Sequence, residues 1–388
     1  MRLPSIISSV LCIPLAYKLG KDFFNYRVGL LSAFLLGTSP CFYWYAQEAR
    51  CYTLFILFSL LSIIFFYNAL RKNDKLLWIG FIISTSLGIY THYFAFFLIL
   101  IESLFIILYL KKYKTILSRF LLSLLAIFVF ILPQILSLCL GMSLKLNEGA
   151  TWGMPPSVCF IPSVFIYLSI GEGYPWLFVV LPFFIFLYGL YNFYIENEEI
   201  FRLSAIWIFI PILISFFLAF KININVRYLI FILPIYLVVI SKGLIDIVKK
   251  RSAIFLVIIL VFSLCNAYVL FENYDKPKED WNSVASLIKG SSLQDDKILS
   301  IPGELDPCFT YYGIDPNMII KIYPKGEEDL STEVQRILLK TRRSWIPYSV
   351  ELSDDKNILL TWLNRNCIKK GDFYDITVYL WEDNSSFL

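Results

Sequence analysis

The chain has 388 residues, of which 58% are hydrophobic and 16% are charged. An ordinary soluble protein is about 45–50% apolar, so this composition excludes that class for the chain as a whole. Residues 1–270 contain 20 basic and 10 acidic side chains, whereas residues 271–388 contain 14 and 20. We therefore predict a multi-pass transmembrane domain over residues 1–270 and a soluble domain over residues 271–388. No basic run points to a nucleic acid.

Ten apolar segments of the first domain are long enough to cross a bilayer, which takes about 17–25 helical residues. They are Leu3–Leu19, Val28–Ala46, Tyr52–Leu70, two within Leu76–Leu110, Ile116–Leu140, Pro175–Tyr194, Phe201–Phe220, Tyr228–Ile245 and Ser252–Leu270. The run from Leu76 to Leu110 is too long for one span, so we expect a turn near His92. The predicted fold class is a polytopic α-helical membrane protein with a small C-terminal α/β domain.

Basic residues distinguish the two sides of the membrane. Fifteen Lys and Arg fall in connections on one side, and only five, including Arg50 and Arg227, fall on the other. Because cytoplasmic loops carry the excess of Lys and Arg, the side with five is predicted to be the outer one. Residues 47–52, 141–174, 221–227 and the soluble domain would then lie outside the cell. This predicts a plasma-membrane protein with an extracytoplasmic C-terminal domain.

The soluble domain alternates helices and strands, which predicts a small α/β fold. Asp280 is the expected N-cap of a helix with an apolar face over Trp281–Ile288, and Gly290 follows its end. The other predicted elements are strands at 297–301, 318–322, 344–350 and 374–380, and helices that begin at Thr332 and Ile358. Cys308 and Cys367 could form a disulfide in an oxidising compartment, and spacing alone leaves this open.

The segment Tyr43–Tyr52 places three polar side chains, Gln47, Glu48 and Arg50, between two apolar segments. Charged groups near a bilayer are costly and usually mark a place where something polar is bound. Arg50 could grip a phosphate with its planar guanidinium, or it could simply reach to the lipid headgroups. Glu48 could be a general base, a ligand for a metal or sugar, or an ion-pair partner of Arg50. Gln47 could bind a sugar hydroxyl or cap the segment.

Further candidates fall on the same predicted side. His92 is the only histidine, and it is either a binding residue or an ordinary interface residue. Arg227 and Tyr228 open a span and could add a second positive group for a phosphate. The 141–174 loop could cover the site or pack beside it. These residues establish no cofactor and leave a divalent metal ion open.

Several short motifs occur in a fixed order along the chain. They are Arg2-Leu-Pro-Ser5, Ser39-Pro40, Trp44-Tyr-Ala-Gln-Glu-Ala-Arg50 with Tyr52, Tyr90-Thr-His92, Arg227-Tyr-Leu before Pro234, Glu279-Asp-Trp281 and Tyr311-Tyr312. The ordered set resembles the GT-C glycosyltransferases, in particular the family 39 group of dolichyl- or polyprenyl-phosphate-mannose mannosyltransferases and their prokaryotic relatives.

The resemblance implies an inverting enzyme that transfers a mannose-like sugar from a polyprenyl-phosphate donor to a hydroxyl of a protein, lipid or glycan on the outer face. The candidate donor-binding residues are Gln47, Arg50, Tyr52, His92, Arg227 and Tyr228. In this family the catalytic acid usually lies on a large outer loop that precedes the Arg-Leu-Pro-Ser segment, which here begins at Arg2. We expect that an upstream part is missing; the alternative is a chain that has lost its base. Glu48 is the best remaining carboxylate for catalysis.

Two other functions fit a polytopic chain, namely a transporter or flippase for lipid-linked glycans and a non-catalytic binder of polyprenyl phosphate. A transporter is expected to contain inverted repeats and helices broken near the midplane. Here Pro133 and Pro211 are the main interior breaks, and the polar groups fall on one side. This pattern favours an enzyme.

Overall fold

The computed structural model describes residues 2–148, 159–171, 177–220, 224–248, 280–301, 303–323, 327–349 and 358–383, with residues 260, 263, 264, 266–268 and 271. The chain divides into two compact units. The first comprises Met1–Leu144 and Trp152–Asn273, and the second comprises Lys145–Thr151 and Tyr274–Leu388. The predicted span Ser252–Leu270 lies largely outside the described residues.

The described part of the first unit is helical. Its α-helices are α1 Leu3–Phe23, α2 Tyr26–Gly37, α3 Pro40–Ala46, α4 Tyr52–Lys72, α5 Lys75–Thr91, α6 Phe96–Leu108, α7 Leu117–Glu148, α8 Phe160–Ile170, α9 Leu177–Glu196, α10 Glu198–Leu218 and α11 Leu233–Val248. Three-residue 3-10 turns precede α6 and α7, and a longer 3-10 segment, Val226–Ile232, precedes α11.

Six helical segments of this described part are long and apolar enough to cross a membrane. They are Leu3–Phe23, Tyr52–Lys72, Lys114–Leu138, Val179–Glu196, Glu198–Leu218 and Val226–Ile247. The helices α2, α5, α6 and α8 are apolar but shorter. The predicted fold class of a polytopic helical membrane protein is confirmed, with fewer long spans among the described residues than the ten predicted.

Two predicted segments differ from the structure for local reasons. The predicted span Val28–Ala46 is two helices, because Ser39 caps α3 through the backbone N–H of Phe42 and Pro40 stands at its first position. Pro there cannot continue the preceding helix but favours a new one. The predicted loop 141–174 contains the apolar helix α8, which at eleven residues is too short to be read as a span. Its residues Trp152, Pro155 and Pro156 lie outside the described part.

Glycines allow pairs of these helices to approach closely. A Cβ atom on Gly29 of α2 would lie 2.5 Å from the carbonyl oxygen of Tyr17 on α1, and one on Gly20 would lie 2.9 Å from the Cα of Gly29. A Cβ on Gly189 of α9 would lie 2.2 Å from the carbonyl oxygen of Val239 on α11. Small residues at helix contacts are a recurrent feature of membrane proteins, since they let the backbones meet.

The second unit is a five-stranded sheet with helices on both faces. The strands are β1 Lys297–Ser300, β2 Ile319–Lys321, β3 Arg343–Ser349, β4 Ile368–Phe373 and β5 Ile376–Glu382, and the helices are α12 Trp281–Ser291, α13 Asp306–Tyr311, α14 Glu327–Leu338 and α15 Ile358–Asn366. The strand order is β2-β1-β3-β5-β4. β1 pairs in parallel with β2 and β3, whereas β5 pairs antiparallel with β3 and β4.

Most predicted elements of this unit are present, with five differences, of which one is the short helix α13, Asp306–Tyr311, that was not predicted. Asp280 caps α12 as expected by accepting from the Ser283 N–H, although Gly290 lies inside the helix. α14 begins at Glu327 and not at Thr332, and the last strand begins at Ile376. β4 was not predicted, because its sequence Ile-Lys-Lys-Gly-Asp-Phe is polar and forms an edge strand. Cys308 and Cys367 pack in clusters on opposite faces of the sheet, so they do not form a disulfide with each other.

Candidate functional site

The polar segment between α3 and α4 is hydrogen-bonded to the N-terminal end of α1. The Ser5 hydroxyl donates to the backbone carbonyl of Arg50 at 3.1 Å, and the Thr53 hydroxyl donates to the carbonyl of Ser5 at 3.1 Å. Ser5 and Thr53 are both buried. A carbonyl oxygen has two lone pairs, so the Ser5 carbonyl can accept from Thr53 in addition to a bond within its own helix. The structure thus joins the motif at residues 2–5 to the motif at residues 44–52.

Glu48 and Arg50 form an ion pair within this turn. The Arg50 Nε atom lies 3.7 Å from Glu48 Oε2, and the side chains are 55% and 13% exposed, respectively. At this distance the contact is an ion pair and not a hydrogen bond. Gln47 is partly exposed and ends α3, where its backbone N–H donates to the carbonyl of Trp44 at 3.3 Å.

His92 lies in an aromatic cluster at the turn between α5 and α6. Its ring stacks on Phe55 with a centroid distance of 4.9 Å and an interplanar angle of 15°. The ring centroids of Tyr52 and Tyr228 lie 5.9 Å and 5.3 Å away. The turn predicted at Thr91–His92 is confirmed, and the structure brings three of the predicted site residues together there.

The imidazole of His92 is neutral in this setting. Its Nδ1 atom accepts from the backbone N–H of Phe94 at 3.2 Å, which requires a free lone pair on that nitrogen. Burial lowers the pKa of His92 to about 4, because a buried cation loses its hydration. The positive charge of this region therefore comes from arginine and not from histidine.

Arg227 enters the same region from a distant part of the sequence. Asn225 caps the 3-10 segment Val226–Ile232 by accepting from the Arg227 N–H at 3.0 Å. The hydroxyl of Tyr52 lies within the electrostatic reach of Arg227, Arg50 and Tyr228. Two guanidiniums, two phenols and a neutral imidazole thus share one small region at the ends of α4, α5 and the segment before α11.

Known proteins resemble this chain in sequence and in fold. Residues 1–136 match the family model described as dolichyl-phosphate-mannose-protein mannosyltransferase. The structure of ArnT from Cupriavidus metallidurans matches 98% of this chain and 83% of its own, with a TM-score of 0.61 at 13% identity. This chain has the GT-C fold. The resemblance to GT-C glycosyltransferases predicted from the sequence motifs is thereby confirmed.

A second GT-C structure gives the same result. The archaeal oligosaccharyltransferase AglB from Archaeoglobus fulgidus, in complex with an inhibitory peptide and a dolichol-phosphate, matches 88% of this chain at a TM-score of 0.55 and 12% identity. This chain spans 57% of the length of AglB. No protein of curated function matches the sequence. At these identities, the structural comparisons establish the fold and leave the reaction to be argued from the site.

The candidate site contains residues that the sequence did not single out. Ser5 was noted only as part of a motif, and its bonds to residues 50 and 53 depend on helix packing. Tyr45 stacks edge-on to Tyr52 at 4.7 Å and lies 6.4 Å from the ring of Tyr167 on α8. Aromatic residues are common at the membrane boundary, so their sequence positions alone carry no signal. The described residues contain no group of three or more His, Cys, Asp or Glu that could hold a metal ion.

Proposed function

We propose that this chain transfers a sugar, mannose first among the candidates, from a polyprenyl-phosphate donor to an acceptor hydroxyl on the outer side of the membrane. The observation that supports it most is that Arg50 and Arg227 both act electrostatically on the hydroxyl of Tyr52. One of these arginines belongs to the matched segment 1–136, and the other comes from a separate element. Mannose is the sugar in the description of the matching family.

The chemistry of sugar transfer from a lipid phosphate requires a place for the charge of the leaving group. When the bond between the sugar and the phosphate breaks, negative charge grows on the phosphate oxygens. Fixed guanidiniums stabilise that charge, and Arg also binds phosphate in a two-pronged geometry. Arg50 and Arg227 are proposed to perform this role, with the phenols of Tyr52 and Tyr228 as further hydrogen-bond donors.

The acceptor hydroxyl must lose a proton as it attacks the sugar from the face opposite the phosphate. A carboxylate is the usual general base for this step. Glu48 is the candidate by position, but its ion pair with Arg50 at 3.7 Å gives it a second task, which is to orient the guanidinium. We propose that orientation is the main role of Glu48 in this chain.

The lipid part of the donor needs an apolar surface. A cavity of about 420 Å³ lies between α8 and α9, and every residue that lines it is apolar or proline: Ile161, Pro162, Phe165, Ile166, Val179, Val180 and Phe183. α8 also carries Tyr167, whose ring lies 6.4 Å from the ring of Tyr45 in the candidate site. We propose that part of the isoprenoid chain occupies this cavity while its phosphate lies near the arginines.

The full chain in lipid nanodiscs, supplied with polyprenyl-phosphate mannose, tests this function through the release of polyprenyl phosphate. Arg50→Ala is expected to lower kcat/KM by about 100-fold, since a fixed charge that acts on the leaving group is removed. Arg27→Ala is the control, because Arg27 is exposed and its guanidinium donates a hydrogen bond to the hydroxyl of the neighbouring Tyr26. The control is expected to stay within about twofold of the original chain. Equal rates for the Arg50→Ala variant and the original chain would exclude the phosphate role.

The same assay separates the two roles of Glu48. If Glu48 orients Arg50, Glu48→Gln raises the KM for the donor by roughly tenfold and changes kcat little, because binding is affected before chemistry. If Glu48 is the base, the same variant lowers kcat by roughly 100-fold or more at an unchanged KM. We expect the first result, and the second would return Glu48 to the catalytic role predicted from the sequence.

A further inference from the structure

A polar cluster lies inside the membrane part, away from the outer-face residues described above. Ser62 on α4, Thr85 on α5 and Glu102 on α6 are all fully buried. The Ser62 hydroxyl lies 2.7 Å from Thr85 Oγ1 and 2.7 Å from Glu102 Oε1. The Thr85 hydroxyl lies 2.8 Å from the backbone carbonyl oxygen of Phe81. In the sequence, Glu102 is a single acidic residue in an apolar run, and its buried partners are not evident there.

These three contacts form a continuous chain of oxygens from Phe81 to Glu102. Each contact needs one proton between its two oxygens, and the two hydroxyls supply only two. The Thr85 proton points to Phe81, whose carbonyl cannot donate. The Ser62 proton then points to Thr85. The third contact, between Ser62 and Glu102, is complete only if the carboxyl group of Glu102 provides the proton.

The surroundings of Glu102 give the same answer by a separate route. In the part of the chain that the structure describes, its second oxygen, Oε2, has no hydrogen-bond partner, and no salt bridge reaches the side chain. An ionised carboxylate in an apolar interior is very costly without a paired charge, whereas a neutral acid needs only one good bond. By contrast, the buried Lys242 of α11 is held by two carboxylates, Glu196 and Asp246.

We propose that Glu102 is a neutral carboxylic acid whose proton is donated to Ser62, and that this bond makes Glu102 a positioning residue for the outer-face cluster. The chain of bonds joins α4, α5 and α6. Tyr52 begins α4, and His92 lies at the turn between α5 and α6. The three helices that the bonds connect are therefore the ones whose outer ends carry these two residues.

Infrared spectroscopy of the full chain near neutral pH tests the protonation state directly. Surface carboxylates are ionised there, so the difference spectrum between the original chain and Glu102→Gln isolates a single group. A carbonyl band of a protonated carboxylic acid is expected in the original chain only. It should lie toward the high-frequency end of its range, since Oε2 accepts no bond. A difference spectrum with carboxylate bands in its place would overturn the proposal.

The positioning role is tested by three variants and a matched control. Glu102→Gln can still donate an N–H to Ser62 and is expected to keep its thermal midpoint and its donor KM within about threefold. Glu102→Ala and Ser62→Ala break the chain of bonds, and both are expected to lower the midpoint and to raise the donor KM by about tenfold. Ser59→Ala is the control, because Ser59 is an equally buried serine on α4 whose hydroxyl donates within its own helix, to the Phe55 carbonyl.

The thermal and spectroscopic results do not depend on the proposed sugar transfer, whereas the KM result does. A Glu102→Gln variant as unstable as Glu102→Ala, or a Ser59→Ala variant as impaired as Ser62→Ala, would exclude the positioning role. If no transfer is detected from any variant or from the original chain, the proposed function fails while the infrared band still decides the state of Glu102.

Discussion

His92 is a structural cap and, in the proposed function, also part of the binding region. Its Nδ1 atom accepts from the Phe94 N–H, and its ring stacks on Phe55. Both contacts use the neutral imidazole, since protonation of Nδ1 would remove the lone pair that accepts the bond. The residue therefore fixes the turn between α5 and α6 only in its uncharged form.

This requirement predicts a pH dependence of stability. Burial lowers the pKa of His92 to about 4 in the folded protein, against an ordinary value of 6.5. Between these values the unfolded chain binds more protons, so the free energy of unfolding falls as the pH falls from about 6.5 toward 4. Thermal unfolding of the full chain from pH 7 to pH 5 is expected to show this loss.

His92→Asn is the matched variant for that measurement. An asparagine side chain can accept from the Phe94 N–H as a helix cap but does not titrate. The difference in thermal midpoint between the original chain and the variant should therefore change with pH over this range. Parallel curves for the two proteins would show that another group causes the loss.

Among the elements, α1 and α2 depend on a contact that tolerates no side chain. Gly20 and Gly29 bring the two backbones together, and a Cβ on Gly29 would lie 2.5 Å from the Tyr17 carbonyl oxygen. Since a backbone atom cannot move aside as a flexible side chain can, the helices would have to separate. α1 also holds the turn that carries Arg50, so its placement affects the candidate site.

Gly29→Ala is accordingly expected to destabilise the chain by about 1–3 kcal/mol, the usual cost of an overpacked contact. Gly37→Ala on the same helix is the control, because its Cβ would meet only the Ile13 side chain at an ordinary 3.5 Å. That change should be neutral or slightly favourable, since Ala is the better helix former. Thermal or denaturant unfolding in detergent measures both, and equal effects of the two variants would contradict the explanation.

At the scale of the whole molecule, the orientation in the membrane remains a prediction from the basic residues. It places Arg50, Cys51 and the C-terminal domain outside, and Lys112 inside. A membrane-impermeant maleimide applied to intact cells should label the exposed Cys51 but not a cysteine introduced as Lys112→Cys, each as the sole cysteine. Labelling of the second variant and not the first would reverse the orientation and exclude an outer-face site.

Local features of the sequence were sufficient for much of the fold. The turn at His92, the N-cap at Asp280 and most strands of the second unit follow from periodicity and capping residues close in sequence. The helix break at Ser39–Pro40 is also marked locally, by a capping serine before a proline. It was not predicted, because the residues on both sides form one continuous apolar run. β4 is an exposed edge strand without apolar alternation, so no pattern predicts it.

The site was less accessible from the sequence because its geometry depends on long-range contacts. The motifs gave Arg50 and Arg227 as separate candidates. Arg50 is close to Tyr52 in sequence, whereas only helix packing brings Arg227 near it. The bond from Ser5 to Arg50 and the chain from Glu102 through Ser62 to Thr85 cross between helices. A single serine or glutamate in an apolar run does not reveal which helix it faces.

The hydrogen bond between Ser5 of α1 and the Arg50 carbonyl also has a consequence for biosynthesis. α1 leaves the ribosome before the turn that carries Arg50, and the Ser5 carbonyl and hydroxyl acquire their partners only when residues 50–53 have followed. The turn with Arg50 can thus take its final form while later helices are still being made. Arg227 is translated much later, so a nascent chain that stops before Val226 has one arginine of the proposed pair. Retention on immobilised phosphate lipid would then distinguish completed membrane domains from interrupted ones.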